Sequence, residues 1–343
     1  MKDNIAIIVL NWNNSKDTIA CLESLKKQTY RDFDIILLDN GSTDNSVSEI
    51  REWIIDPLNK FKFSEYTKDG IEKNRITIPR NNSDFNRISL VLNNENLGFA
   101  AGNNVGIKLA MDSKIYTHVY LLNNDTVLES ESIELLMSSI EKNPEIEVAT
   151  PKITYFDDPN YIWNCGGNIN RIGIRKYNYA KESVERCPEN NFKITFVTGC
   201  ALLISTKIIL KYGMLTEMFF FGEEDWEFSM RMKENNINIY CIPTSVVMHK
   251  VSSSSNSYFK KNNISKACIN YVNRFVHFKS RYTSFKWHIW RSIYLIYIFF
   301  LLKRKKVTTR RVLKAVSIIK KYSDHCNEVT RETVQKIQME VEN

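Results

Sequence analysis

A chain of 343 residues, 43% hydrophobic and 25% charged, has the composition of a globular protein. It can bury a substantial core, which excludes disorder as its main theme. The formal charge of +8 is unevenly spread: the first 249 residues hold 27 basic against 34 acidic residues, whereas Lys250 to Lys320 holds 17 Lys and Arg and no Asp or Glu. An acidic globular part is thus joined to a basic segment that must meet something negative.

In chain order, Ile5 to Leu10 is a continuous apolar run rich in β-branched residues, as expected of a parallel strand buried on both faces. Asp17 to Gln28 carries Ile19, Leu22 and Leu25 at helical spacing, with Ser15 or Asp17 available as cap. Phe33 to Leu38 reads as a second strand ending at Asp39-Asn-Gly-Ser-Thr-Asp44, and Ser46-x-x-Glu49 reads as a capping box. Residues 56–88 read as a polar, irregular insertion. Ser89 to Leu92, a helix through Ala110 and Thr117 to Leu122 continue the alternation. Repeating βαβ units predict a Rossmann-like α/β fold with a mostly parallel sheet. Ligands bind beyond the carboxyl ends of such strands, where Asn11, Trp12, Asp39, Asn40, Asn123, Asn124 and Asp125 all fall.

Each polar cluster has a functional and a structural explanation. Asp39 can accept hydrogen bonds from a nucleobase or ribose, or form an Asx-turn. Trp12 can stack on a base or pack in the core. Gly98 to Asn104 gives backbone amides access to phosphate at a helix N-terminus, but is neither G-x-G-x-x-G nor a P-loop. Asp125 can help bind Mg²⁺ or Mn²⁺, or cap a helix. Glu223, Glu224 and Asp225 follow an aromatic run, where one of them can serve as general base or all three can complement a helix dipole. His249 closes the apolar run Ser245 to Met248 and can be a ligand or a structural histidine. The seven cysteines are odd in number and lack any C-x-x-C pair, which suits a reducing compartment. No signal peptide is read at the N-terminus. The apolar run Ile293 to Leu302 is shorter than the roughly 20 residues of a spanning helix.

From Ile5 to Lys250 these motifs, in order, resemble family 2 glycosyltransferases of the GT-A fold, in particular the rhamnosyltransferase-like and galactofuranosyltransferase-like enzymes. The motifs are Val-Leu-Asn-Trp-Asn-Asn, Leu-Leu-Asp-Asn-Gly-Ser-Thr-Asp, Asn-Leu-Gly-Phe-Ala-Ala-Gly-Asn-Asn, Leu-Leu-Asn-Asn-Asp-Thr, Thr-Gly-Cys-Ala, Glu-Glu-Asp-Trp-Glu-Phe and a terminal His. The resemblance implies a transferase domain over 1–250 and a basic, amphipathic helical region over 251–343. It implies that Asn11, Trp12, Asp39 and Asn40 contact the nucleoside, and that Gly98, Phe99 and Asn103 line the diphosphate. Asn123, Asn124 and Asp125 would occupy the D-x-D metal motif, from which Asn123 departs. Asp125 and His249 would hold a divalent cation (Mg²⁺ or Mn²⁺), and Asp225, with Glu224 beside it, would be the catalytic base.

The implied reaction is inverting transfer from a dTDP- or UDP-sugar to a hydroxyl of a growing, lipid-linked surface glycan. The alternative is an inactive glycan-binding or scaffold subunit, which Asn123 favours. Residues 270–306 interleave aromatic and apolar residues with Lys and Arg, which predicts association with an anionic membrane. The enzyme is therefore expected in the cytoplasm, peripherally attached to the inner face of the cell membrane. No nucleic-acid recognition motif is present, and the sequence is compatible with an oligomer.

Overall fold

The computed structural model describes residues 3–74, 86–170, 174–251 and 263–342. The chain forms two compact units: Met1–Leu215 with Phe228–Ser254, and Thr216–Glu227 with Ser255–Asn343. The second unit is therefore discontinuous, drawing twelve residues from inside the span read as one transferase domain.

The first unit is built on β1 (Ile5–Asn11), α1 (Ser15–Lys26), β2 (Phe33–Asp39), α2 (Ser46–Ile55), β3 (Lys62–Thr67), α3 (Lys68–Asn74), β4 (Arg87–Leu92), α4 (Phe99–Ser113) and β5 (His118–Asn123). It continues through β6 (Thr126–Leu128), α5 (Ser132–Lys142), β7 (Val148–Tyr155), β8 (Ile162–Asn164), β9 (Gly167–Ile169), β10 (Arg175–Tyr177) and β11 (Phe192–Ile194). β12 (Ala201–Ser205), α6 (Thr206–Tyr212), α7 (Glu224–Glu234) and β13 (Ile239–His249) follow, α7 beginning in the second unit and ending in the first. The main sheet has the order β11-β13-β7-β12-β5-β1-β2-β4-β3, with β6 on β13 and β8 on β7.

From β3 to β5 every pairing is parallel. β12 then runs antiparallel to β5 and β7, so the sheet is mixed beyond β5. β1 and β2 are buried along both faces, which is why Ile5 to Leu10 and Ile35 to Leu38 are unbroken apolar runs. The α4 helix lies close on this sheet because it offers glycines there: a Cβ on Gly106 would stand 2.9 Å from Ile8 Cγ2 and 3.0 Å from Leu38 Cδ1.

Three local expectations are corrected. The stretch 56–88 is not irregular: β3 pairs with β4 over six residues, α3 follows, and Arg87 and Ile88 belong to β4, while 75–85 lie outside the described residues. An edge strand has one partner and one covered side, so Lys62 and Glu65 are tolerated and no apolar run announces it. The capping box is absent, because the Ser46 amide donates to Asp44 (2.9 Å) and Glu49 accepts from the Ser15 hydroxyl. Asn14, not Ser15 or Asp17, caps α1.

The second unit contains α8 (Asn263–Arg281), α9 (Ser284–Arg304), α10 (Thr309–His325) and α11 (Arg331–Glu342). Trp287 Nε1 donates to the Phe275 carbonyl at 2.9 Å, and the rings of Phe278 and Trp290 stack at 4.6 Å. Thr216–Glu227 joins these helices through backbone bonds to Val329, from Phe220 N (2.8 Å) and to Met218 O (2.7 Å). None of the described helices is long and apolar enough to cross a membrane.

Gly106→Val should overpack the contact of α4 with β1 and β2 and cost about 1–3 kcal/mol. Urea unfolding of the two proteins measures this, and equal midpoints would contradict the close approach.

Candidate functional site

Parallel register sets the carboxyl ends of β5, β1, β2 and β4 side by side: Leu10 pairs with Asn123, Asn11 with Asp39, and Asp39 with Leu92. Asp39 is 3% exposed, and its carboxylate accepts from Asn11 Nδ2 (2.8 Å), Ser42 Oγ (2.6 Å) and Ser42 N (2.9 Å). Asn11 also donates to Ser42 Oγ (3.2 Å) and accepts from Thr18 Oγ1 (2.8 Å), and Thr18 in turn accepts from Asn124 Nδ2 (2.9 Å). A single hydrogen-bonded path thus runs from the end of β5 to the end of β2.

Asn40 bridges in the other direction. Its amide nitrogen donates to Asn96 Oδ1 (3.0 Å) and the Gly98 carbonyl (3.1 Å), and its oxygen accepts from Asn93 Nδ2 (3.1 Å) and Leu97 N (3.2 Å). The turn after Asp39 passes so near the loop before α4 that only glycine fits at Gly41, which has φ +68° and a would-be Cβ 2.5 Å from the Glu95 carbonyl carbon.

The residues expected to touch nucleotide thus divide. Asn11, Asn40 and Asn124 are buried and hydrogen-bonded within the protein, so in this arrangement they position Asp39, the 93–98 loop and Thr18 rather than face a ligand. Asn103 is likewise buried and donates to the Phe99 carbonyl at 2.9 Å. Trp12, Phe99 and Asn123 are half-buried. Gly98 (φ +87°) precedes the first turn of α4, which has no side-chain cap.

Asp125 follows β5, and His249 ends β13, where it pairs with Thr126 of β6. The two side chains, each 5% exposed, meet with His249 Nε2 3.1 Å from Asp125 Oδ1. Trp163 packs edge-on against the His249 ring at 4.4 Å and fixes its plane. Burial opposes charge on His249, but Cys200 and Asp125 outweigh it and push its pKa up to about 10. The adjacent Lys250 holds Asp17 at 2.6 Å.

In the second unit, the acidic motif is gripped by α8. Asn273 donates to the carbonyls of Phe221 (2.8 Å) and Gly222 (3.0 Å). Glu223, at φ +82°, is bound by Arg274 through two nitrogens, one at 2.8 Å, and lies 2.9 Å from His277 Nδ1. Arg281 donates to His277 Nε2 (2.8 Å) and pairs with Glu227 at 3.3 Å. Burial pushes the Glu223 pKa up, yet Arg274 and His277 overcome this and hold it below the usual carboxylate value. For Glu224, burial, then the charge of Asp225, pushes its pKa up to about 8, and among the described residues its Oε2 has no hydrogen-bond partner. Asp225 is half-buried. Sequence reading missed Ser42, Thr18, Arg274 and His277. The last two were signalled by falling with Arg281 on one face of a helix.

Residues 6–213, more than half of the chain, match the family described as Glycosyl transferase family 2. The chain belongs to this family. Two curated relatives are similar to it. The low-salt glycan biosynthesis hexosyltransferase Agl10 of Haloferax volcanii is 24% identical over 243 residues, covering 70% of this chain and 64% of that protein. Glycosyltransferase GlyG of Streptococcus pneumoniae is 28% identical over 150 residues, covering 43% of this chain and 39% of that protein. The chain thus spans less than two thirds of either relative's length.

Among solved structures, GalNAc-T7 with UDP, GalNAc and Mn²⁺ superposes with a TM-score of 0.52 at 14% identity, over 72% of this chain and 43% of that one. The mannosyltransferase PcManGT of Pyrobaculum calidifontis, in complex with GDP-Man and Mn²⁺, gives 0.50 at 13% identity, over 82% of this chain and 64% of that one. These likenesses show the shared GT-A-like fold.

Glu224 has a folded pKa above its ordinary 4.5, so folding takes up a proton and the group's contribution to stability is lost as pH rises toward 8. Glu224→Gln should therefore stabilise the protein by about 1–3 kcal/mol at pH 8 and by little at pH 5. Thermal unfolding at both pH values measures this, and a difference independent of pH would refute it.

Proposed function

We propose that the chain transfers a hexose from a dTDP- or UDP-linked donor to a hydroxyl of a growing, lipid-linked surface glycan by a single inverting displacement. The observation that carries the reading is the family membership of a chain whose parallel strands end in Asp39, Asn123 and Asp125 on one rim. In this reading Asp39 accepts from the nucleoside, Trp12 stacks on its base, and the N-terminal amides of α4 face the diphosphate across Gly98 and Phe99. The rhamnosyltransferase-like and galactofuranosyltransferase-like subgroup and the sugar itself are part of the proposal.

The Asp125–His249 pair suits a divalent cation. Mg²⁺ or Mn²⁺ takes few protein donors and completes its shell with phosphate oxygens and water. A buried carboxylate and imidazole held 3.1 Å apart place an oxygen and a nitrogen donor together, as such a cation would require. Among the described residues no third His, Cys, Asp or Glu joins them, so donor phosphate oxygens and water would supply the remaining ligands. When bound, the cation supplies positive charge to the diphosphate leaving group.

Asp225 acts as general base, taking the proton from the acceptor hydroxyl as that oxygen attacks the anomeric carbon. Glu224, pushed toward its neutral form by burial and by the charge of Asp225, can donate to an acceptor oxygen. No covalent enzyme intermediate forms. Asn123, in place of a first Asp, favours the second reading, a non-catalytic glycan-binding subunit. Under that reading purified protein would turn over no nucleotide-sugar.

Asp225→Asn should lower kcat by at least about 10³-fold, while nucleotide affinity by calorimetry stays within about threefold. Comparable turnover by the variant would sink the assignment. Excess EDTA should abolish transfer and Mn²⁺ restore it, and His249→Ala should raise the Mn²⁺ concentration needed by about tenfold or more. Full activity in EDTA would remove the metal role of Asp125 and His249.

A further inference from the structure

The helix α9 is apolar on two opposite faces. Trp287, Tyr294, Ile298 and Leu302 are buried on one of them. With about 100° between successive residues, Phe285, Ile289, Ile293, Ile296, Tyr297 and Phe300 fall in one stripe about 120° wide on the other side. Each of these six is between 43% and 77% exposed. A helix that is apolar all round is normally enclosed, but α9 is enclosed on one side only. The side turned to solvent is apolar, and its charges gather at the ends. Lys286 marks the first end and Lys303-Arg304-Lys305-Lys306 the second, all of them exposed.

We propose that this stripe docks onto an anionic phospholipid bilayer, with α9 lying in the plane of the interface. The six apolar side chains enter the boundary between headgroups and acyl chains, and the basic ends meet lipid phosphates. Bulky apolar groups flanked by cations are the chemistry an anionic interface recognises. The helix lies on the bilayer rather than through it, since no described helix is long and apolar enough to cross. A second copy of the chain complements the stripe poorly. Two-fold pairing along it sets the basic ends of the two copies near one another, and the stretch from Lys250 to Lys320 has no carboxylate to offset the repulsion. The inference deepens the proposed membrane-borne acceptor and rests on it for its purpose, while its test reads binding rather than transfer.

The test is co-sedimentation of the full chain with phosphatidylcholine vesicles, with and without phosphatidylglycerol. Binding is expected only where phosphatidylglycerol is present. Ile293→Ser combined with Phe300→Ser changes exposed positions and should weaken that binding by about tenfold or more. Lys303→Gln with Lys305→Gln and Lys306→Gln should do the same. Nucleotide-sugar hydrolysis should be unchanged in both variants, so absence of turnover in the parent chain would count against the transferase reading alone. No binding by the parent, or equal binding by the Ser variant, would overturn the docking surface. A dimer in sedimentation velocity that the Ser variant dissolves would also overturn it and assign the stripe to a second copy.

Discussion

A carboxylate removed from water has to find its hydrogen bonds inside the protein, and Asp39 takes three from Asn11 and Ser42. That requirement organises the rim. Asn11 is at the end of the next strand because parallel register puts it opposite Asp39, and its own oxygen is satisfied by Thr18 of α1. Asn124 completes the path from β5. Removing a member would leave a buried polar group unpaired, at about 1–3 kcal/mol each. Charge at the strand ends is thereby fixed in direction before any ligand arrives, which is what a site that binds a nucleotide through a few oriented groups requires.

The acidic motif solves a related problem by a different route. Glu223 sits at a positive φ that side-chain-bearing residues rarely adopt, and its charge is answered by Arg274 and His277. Loss of one partner from such a buried pair costs about 3–5 kcal/mol, because the other charge remains in a dry environment. Glu224, next in sequence, is held by burial and by the charge of Asp225. One of the three carboxylates thus acts as the anchor that lets the other two stay poised, with Glu224 held toward its neutral form.

Much of the first unit was legible because its strands are buried on both sides. β1, β2 and β5 could hardly be anything else, and their polar termini followed directly. The edge strand β3 was hidden because one-sided pairing does not demand an apolar run. The order of motifs pointed to residues that parallel register brings to one rim. The division of labour among them was not readable, since the pattern Asn-Trp-Asn cannot say that Asn11 turns inward while Trp12 stays half-exposed. Arg274 and His277 escaped for another reason: the excess of positive charge suggested an external partner, whereas part of it answers acids of the chain's own.

The discontinuous second unit bears on how the chain comes to be made. A ribosome delivers residues in order, at about 5–20 per second. Glu223 emerges 51 residues ahead of the arginine that neutralises it. For that interval the segment Thr216–Glu227 has neither Asn273 to receive its carbonyls nor Val329 to pair its backbone. The acidic turn therefore reaches its final conformation only after Asn273, Arg274 and Val329 have been synthesised. A nascent chain stalled before α8 would display the acidic motif without the groups that bind it in the folded protein.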